Sequence, residues 1–285
     1  MKHTFRYVVT DRPEPGQRVE LTPADSHHLA RIVRRRTGDS VELIDGAGRI
    51  WPATVAALGH VVVVEVGEPR RAAPPAGVTL YQGLCEWGRL DLVVEKAAEL
   101  GIPRLVFHLS GRAKRVPDPD TWRRRRGRFT RVAESAARQS GQGYLPRVQG
   151  LVPLARVLEE VPPGEGYLID PRGERPLPTA LAESGGAPRL SLLIGPDAGF
   201  APDEVEAGRE AGWNVCSLGP STLRSETAAL VALSIALQAT GRFEQEATVE
   251  AAMAGDAGGP DAASEPDGLD ADHARGGEES ATPLR

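Results

Sequence analysis

Long apolar runs are missing from this chain. No stretch of about 18 apolar residues occurs in its 285, which excludes a helical membrane span. Cysteine is scarce: Cys85 and Cys216 are too few for a disulfide framework and fit a reducing compartment. The opening MKHTFRYVVTDRPEPG has no apolar signal core, so a cytoplasmic location is expected. Lysine is rare (Lys2, Lys96 and Lys114), so the positive charge is almost all arginine. His27 and His28 have no cysteine or carboxylate set at ligand spacing beside them, so no metal site is expected.

Charge is present but uneven. From Glu244 onward there are 11 acidic residues against Arg275 and Arg285. Of the 34 basic and 39 acidic residues in the chain, 32 and 28 therefore precede that tail. The net charge of −5 hides a basic body, suited to an anionic partner, and an acidic tail. The tail, 244–285, is Gly, Ala, Asp, Glu and Pro with few large apolar residues, and it is expected to be disordered.

The length allows two domains. Residues 1–72 read as a small β-rich domain with short strands at 18–21, 40–45, 50–57 and 61–66. Asp45-Gly46-Ala47-Gly48 reads as the hairpin turn between two of them. A helix is expected at 23–36, with Leu29, Ile32 and Val33 on its inner face. The other face carries His27, His28, Arg31, Arg34, Arg35 and Arg36; it is either a solvated helix face or a phosphate-contacting one. Pro74, Pro75 and Gly77 punctuate a linker at 73–77.

Residues 78–243 alternate strands with helices, the mark of an α/β domain with a parallel sheet. Leu90, Val93, Val94, Ala97 and Ala98 follow a 3.6-residue period after a strand at 78–82. A second strand is expected at 104–109 and another at 167–170, with a loop-rich stretch at 171–188. Between 112 and 131 lie Arg112, Lys114, Arg115, Arg123, Arg124, Arg125, Arg126, Arg128 and Arg131. That density favours contact with an RNA backbone over a merely solvated face.

The most informative stretch follows. Residues 189–194 form a short apolar run broken by Gly195-Pro196-Asp197-Ala198-Gly199. Pro202 and three acidic residues open a helix. A second apolar run, 213–218, is broken by Gly219-Pro220, and an almost wholly apolar helix then begins at Ser225, its expected N-cap. Two neighbouring strands thus end in Gly/Pro loops, and in open parallel sheets ligands bind at such ends. Glycine there lets backbone approach a ligand and take positive φ. The apolar helix needs cover on every side, which a two-fold dimer would supply.

LIGPDAGFAPDEVE and LGPSTLRSETAALVALSIAL resemble the two signature segments of the SPOUT superfamily of RNA methyltransferases. More narrowly, they are similar to the family that methylates N3 of a uridine in 16S ribosomal RNA. The likeness continues through LDLVVEKAAELGI, RLVFHLSGRA, Gln139-Ser140-Gly141 and HHLARIVRRRTGD, and so covers roughly residues 1–243. It implies a SPOUT-type knotted parallel sheet with helices on both faces, a preceding PUA-like β-barrel that binds RNA, and a homodimer. It also implies S-adenosylmethionine held by the knot loops: Leu193, Ile194, Gly195, Pro196, Asp197 and Gly199 in the first, and Leu218, Gly219, Pro220, Leu223, Ser225 and Thr227 in the second. His28, Arg31, Arg34, Arg35, Arg112, Arg123, Arg124 and Arg126 become the candidate RNA contacts.

Uracil N3 carries a proton and needs a base, or a cation that stabilises the uracil anion. Arg224 is the candidate cation. Glu226 either fixes Arg224 or serves the helix N-terminus. Some positions depart from the family. Asp197-Ala198 stands for the usual Glu-Gly, Trp87 for Lys, Gly111 for Glu, Arg138 for Glu, Gln142 for Arg, and Ser221 for Arg. The donor loops match best, which leaves open another RNA target, or a non-catalytic RNA-binding protein that kept the fold.

Overall fold

The computed structural model describes residues 4–113, 116–162, 165–185, 189–244 and 248–249. The first domain contains β1 (Arg6–Val8), β2 (Arg18–Glu20), α1 (Pro23–His27), β3 (Ser40–Ile44), β4 (Arg49–Leu58), β5 (Val62–Val66) and β6 (Arg70–Ala72). Its strands run in the order β1-β3-β4-β5-β2, with β6 on the far end of β4. All pair antiparallel except β1 with β3. Period-2 alternation in β4 and β5 turns Trp51, Val55, Val62 and Val64 onto a core shared with Tyr7, Leu29 and Leu43. The expected turn at Asp45 is present: its Oδ1 accepts from the N–H of Ala47 and of Arg49, at 2.8 and 3.0 Å.

The helix expected over 23–36 is shorter than its pattern. Thr22 caps α1 by accepting from the Asp25 N–H. A wide π-type turn over His28–Ile32 follows, and Arg34 then takes φ +57°. The extra residue in that turn rotates Ile32 outward to 64% exposure, whereas Leu29 keeps its place in the core.

The second domain contains β7 (Val78–Gly83), α2 (Trp87–Glu99), β8 (Arg104–Leu109), α3 (Pro119–Ser140), β9 (Arg147–Pro153), α4 (Leu154–Glu160), β10 (Gly166–Ile169), β11 (Arg175–Pro176), α5 (Leu177–Glu183), β12 (Leu190–Ile194), α6 (Pro202–Glu210), β13 (Asn214–Ser217) and α7 (Ser225–Ala239). The sheet is wholly parallel, in the order β11-β13-β10-β12-β7-β8-β9. Helices α2, α3, α5 and α7 cover one face, through Val94, Phe129, Leu181 and Leu233. Helices α4 and α6 cover the other, through Val157, Leu158 and Val205. Buried on both faces, the strands read as near-continuous apolar runs.

Two expectations are corrected. Residues 171–188 are not merely loop, because Leu177, Ala180 and Leu181 share a buried helical face that makes α5. Pro176 and Pro178 sit at its start, where a missing N–H is harmless. The strands ending at 194 and 217 are not neighbours, since β10 lies between them. After β13 the chain sets α7 against β7 and β12, on the far side of β10 from β13.

The domains meet where the segment after α3 docks on the Asp45 turn. Gly48 donates to the Gly143 carbonyl (3.1 Å) and Leu145 to that of Gly46 (3.0 Å). A side chain at Gly48 would run into the Tyr144 ring. Arg138 adds an ion pair to Asp25 at 3.5 Å. Of the acidic tail, the pair Thr248–Val249 forms a strand, β14, antiparallel to β6. The other tail residues after Glu244 lie outside the described residues, as do Lys114 and Arg115. No helix among the described residues is long and apolar enough to cross a membrane.

Candidate active site

Three strand tips frame a pocket of about 300 Å³ at the carboxyl edge of the sheet. From β12 come Ile194, Gly195, Pro196, Asp197, Ala198 and Gly199; from the segment after β13 come Leu218, Gly219, Ser221, Leu223 and Ser225. The intervening β10 contributes Ile169, Asp170, Pro171 and Arg172. Of the three glycines expected to take positive φ, Gly199 (+66°) and Gly219 (+102°) do and Gly195 does not. Of the expected donor residues, Leu193 is buried in the core below α4 and α6, because alternation turns it away from Ile194. Pro220 and Thr227 are exposed and outside the pocket lining.

The β10 wall went unnoticed in the sequence, although Asp170-Pro171-Arg172-Gly173 is another Gly/Pro break after a short apolar run. Arg172 grips Asp170 in a two-pronged pair (Nε–Oδ1 2.7 Å, Nη2–Oδ2 2.9 Å) and donates to the Phe200 carbonyl at 2.9 Å. Burial pushes the Asp170 carboxyl up, but the Arg172 hydrogen bonds and charge outweigh it and hold the group below its ordinary range. On the opposite rim Arg112 donates to the Ala198 carbonyl at 3.2 Å. Glu204 ties that rim down, accepting from the Ala201 N–H (2.7 Å) and the Gly111 N–H (2.6 Å).

Two polar side chains not singled out in the sequence, His108 and Gln82, lie beneath the pocket. His108, at the end of β8, is fully buried; its Nε2 donates to the Ile194 carbonyl at 2.9 Å, and its ring stacks on Phe200. Ser225 Oγ donates to the Gly195 carbonyl at 2.6 Å and accepts from Gln82 Nε2 at 2.9 Å. Ser225 is therefore not the N-cap of α7: that position is Arg224, and the serine hydroxyl is turned inward. Gly83 lets β7 approach this loop, since a Cβ there would lie 2.5 Å from Pro196 N and 2.8 Å from Gly195 C.

The two candidate catalytic residues separate. Arg224 is exposed and has no ion pair among the described residues. Glu226 does not fix it; Glu226 Oε1 lies 3.8 Å from Arg89, whose Nη1 donates to Asp197 at 2.7 Å. Glu226 makes no side-chain cap and acts on α7 only through its place in the first turn. Beside this cluster the Cys85 thiol is pushed up to about 12 by burial, with Asp197 and Glu226 adding to the effect. Burial lifts Cys216 to about 11.

The candidate RNA residues divide by exposure. Arg31, Arg34, Arg123 and Arg124 are exposed, and Arg123 is paired with Asp120. His28 and Arg35 pack on the first-domain aromatics, His28 against the Tyr7 hydroxyl (3.2 Å) and Arg35 over the Phe5 ring. Arg126 is half-buried. Two further α3 arginines hold α3 to α2: Arg125 lies over the Trp87 ring, and Arg128 forks onto Asp91. Trp87, Arg138 and Gln142 all have structural partners; for Gln142 these are the Glu99 carbonyl and Arg242. Among the described residues no group of three or more His, Cys, Asp or Glu is placed to hold a metal ion.

Comparison with known proteins agrees with this geometry. The family described as RNA methyltransferase domain matches residues 72–237, and the RNA methyltransferase PUA domain matches residues 21–66. The ribosomal RNA small subunit methyltransferase E of Mycobacterium bovis is 32% identical over 252 residues, covering 85% of this chain and 94% of that protein. Its namesake in Bacillus subtilis is 25% identical, covering 82% and 95%. The chain belongs to this methyltransferase family. A crystal structure of the Neisseria gonorrhoeae namesake, bound to S-adenosyl methionine, has the same fold at a TM-score of 0.75 and 23% identity, covering 83% of this chain and 98% of that one. A Legionella pneumophila methyltransferase with bound cofactor SAM superposes at 0.73 and 24% identity, covering 83% and 98%.

Two outcomes test the site's framework. Gly83→Ala should cost about 1–3 kcal/mol in denaturant unfolding, because backbone atoms must move to admit the methyl. Burial pushes the His108 imidazole down to about 4, against the opposing pull of the Ile194 carbonyl. The unfolded chain therefore takes up a proton below about pH 6.5 that the folded chain refuses. The stabilising contribution of neutral His108 is whole above pH 6.5 and drains away as pH falls toward 4. The stability difference between wild type and His108→Gln should shrink over that window; a constant difference would contradict a neutral, buried imidazole.

Proposed function

We propose that the protein transfers a methyl group from S-adenosylmethionine to N3 of a uridine in the 16S RNA of the small ribosomal subunit. The observation that carries the reading is the single pocket built from both signature loops. Its volume suits a nucleoside-sized ligand, and Gly, Pro, apolar and hydroxyl residues rather than charged ones line most of it. The named relatives support the ribosomal target, and the two structural neighbours support the donor. Uridine N3 rests on the resemblance of the loops and their flanks.

The residues fit this donor. Backbone groups of 194–199 and 218–223 would hold its adenine and ribose, and Asp170 with Arg172 would close the third side. The donor supplies an electrophilic methyl on a sulfonium centre. The protein's part is to orient the acceptor, exclude water and favour loss of the N3 proton. Arg224, exposed at the head of α7, would stabilise the uracil anion or hold its phosphate. Glu226, beside Arg89 and 12% exposed in its side chain, would be a carboxylate for proton transfer. Exposed Arg31, Arg34, Arg123 and Arg124 would meet phosphates, with a salt-dependent contribution to affinity.

The same reading expects a homodimer. Helix α7 buries Ala229, Ala232, Leu233, Ala236 and Leu237 within the chain but leaves Leu230, Val231 and Ile235 half-buried. A second copy would cover that face.

Calorimetry should show one S-adenosylmethionine site per chain. Ribosomal RNA from a strain lacking the gene should lose 3-methyluridine by nucleoside mass spectrometry; retention of that nucleoside would redirect the target. Arg224→Ala should lower the turnover rate by at least about 100-fold, the scale of lost transition-state charge stabilisation, with donor affinity unchanged. Near-normal turnover would remove Arg224 from the mechanism.

A further inference from the structure

We propose that His108 and Gln82 are positioning residues for the methyl-donor loop, acting through the carbonyls of Ile194 and Gly195 rather than by touching the donor. The inference rests on the reading of the pocket as a methyl-donor site and adds residues to it.

The reason lies at the end of a strand. Ile194 is the last residue of β12, held between Ile169 of β10 and Gln82 of β7. Beyond it the chain turns away and the ladder offers no further partners. The turn nevertheless stays buried at Gly195 and Pro196. A buried carbonyl left unpaired costs about 1–3 kcal/mol. The hydroxyl of Ser225 meets this demand for Gly195, and His108 Nε2 adds a side-chain bond to the Ile194 carbonyl, the last in register with β7.

Gln82 sets the direction of the second bond. Its Nε2 donates to both the Gly83 carbonyl and Ser225 Oγ, each at 2.9 Å. With its acceptor side so used, the serine hydroxyl proton points to Gly195. Gln82 and His108 are each 0% exposed. Neither lines the pocket, so neither is available to the donor directly.

The consequence is orientational. In a trans peptide the N–H points opposite the carbonyl. Fixing the Ile194 carbonyl toward His108 therefore also fixes the Gly195 N–H. Fixing the Gly195 carbonyl sets the plane of the next peptide and the entry into Pro196. The Gly199 N–H then closes the turn on the Pro196 carbonyl at 2.8 Å. The loop is held in shape before any ligand arrives, and such preorganisation raises affinity by removing an ordering cost.

The test compares His108→Leu with His108→Gln, and Gln82→Leu with wild type, in the full chain. Glutamine places a side-chain N–H at nearly the reach of imidazole Nε2 and should restore the bond to Ile194. Two quantities are read at a temperature where each variant is folded: the calorimetric Kd for S-adenosylmethionine, and hydrogen exchange of the Asp197–Gly199 amides without ligand. His108→Leu and Gln82→Leu should weaken donor binding about tenfold, roughly the loss of one hydrogen bond of about 1.4 kcal/mol. Both should speed loop exchange and leave RNA affinity within twofold. His108→Gln should recover donor affinity to within about threefold by regaining that bond.

Folded leucine variants with wild-type Kd and wild-type exchange would overturn the inference. So would His108→Gln proving no better than His108→Leu. If His108→Leu does not fold, Gln82→Leu carries the same comparison from the other carbonyl. Wild-type protein that binds no donor would instead overturn the reading of the pocket, and the ligand-free exchange data would still judge the loop.

Discussion

The Gly195 carbonyl has left the β12 ladder yet remains buried, and the hydroxyl of Ser225, 30 residues later, satisfies it at 2.6 Å. That one contact joins the first signature loop to the head of α7. Gln82 brings in β7, and His108 brings in β8 through the neighbouring carbonyl. Four elements distant in sequence thus converge on two peptide units. The close approach is possible only because Gly83 presents no side chain to Pro196. Removing any one of these leaves a polar group buried without a partner or a backbone pushed aside, so the loop is specified by several independent constraints at once.

The pocket above is correspondingly poor in charge. Its charged groups face the rim and are spent on the protein itself: Arg172 on Asp170 and Phe200, Arg112 on Ala198, Arg89 on Asp197 and Glu226. A ligand held mainly by fixed backbone dipoles meets little reorganisation on binding, which is the economy such loops offer. The arginines of α3 divide in the same way. Arg125 and Arg128 fasten that helix to α2, which leaves Arg123, Arg124 and Arg131 as its outward cations.

Much of this was legible from local pattern. Helix α2 falls where its 3.6-residue period put it, with Leu90, Val93, Val94, Ala97 and Ala98 all buried. Strands β8 and β12 and the two glycine breaks follow from apolar runs closed by Gly and Pro. What pattern could not supply was anything set by distant contacts. The insertion of β10 between β12 and β13 is a matter of sheet order, which no local window encodes. Gln82 and His108 looked like ordinary polar residues within apolar strands, since their partners lie 143 and 86 residues away. Helix 23–36 broke early because one wide turn, invisible to a fixed period, carries Ile32 out of the core. Of the two roles open to Glu226, pairing with Arg224 is not the one seen, because Arg89, remote in sequence, is near it in space.

The central claim is that three strand tips, with β10 in the middle, form one site for one nucleoside donor. A crystal structure of the protein with S-adenosylmethionine addresses it most directly. The predicted result is a single ligand whose adenosine touches the backbone of both 194–199 and 218–223, with Arg172 still bound to Asp170 and the Ile194 and Gly195 carbonyls still held from below. Donor bound elsewhere, or in contact with one loop while the other lies empty, would contradict it.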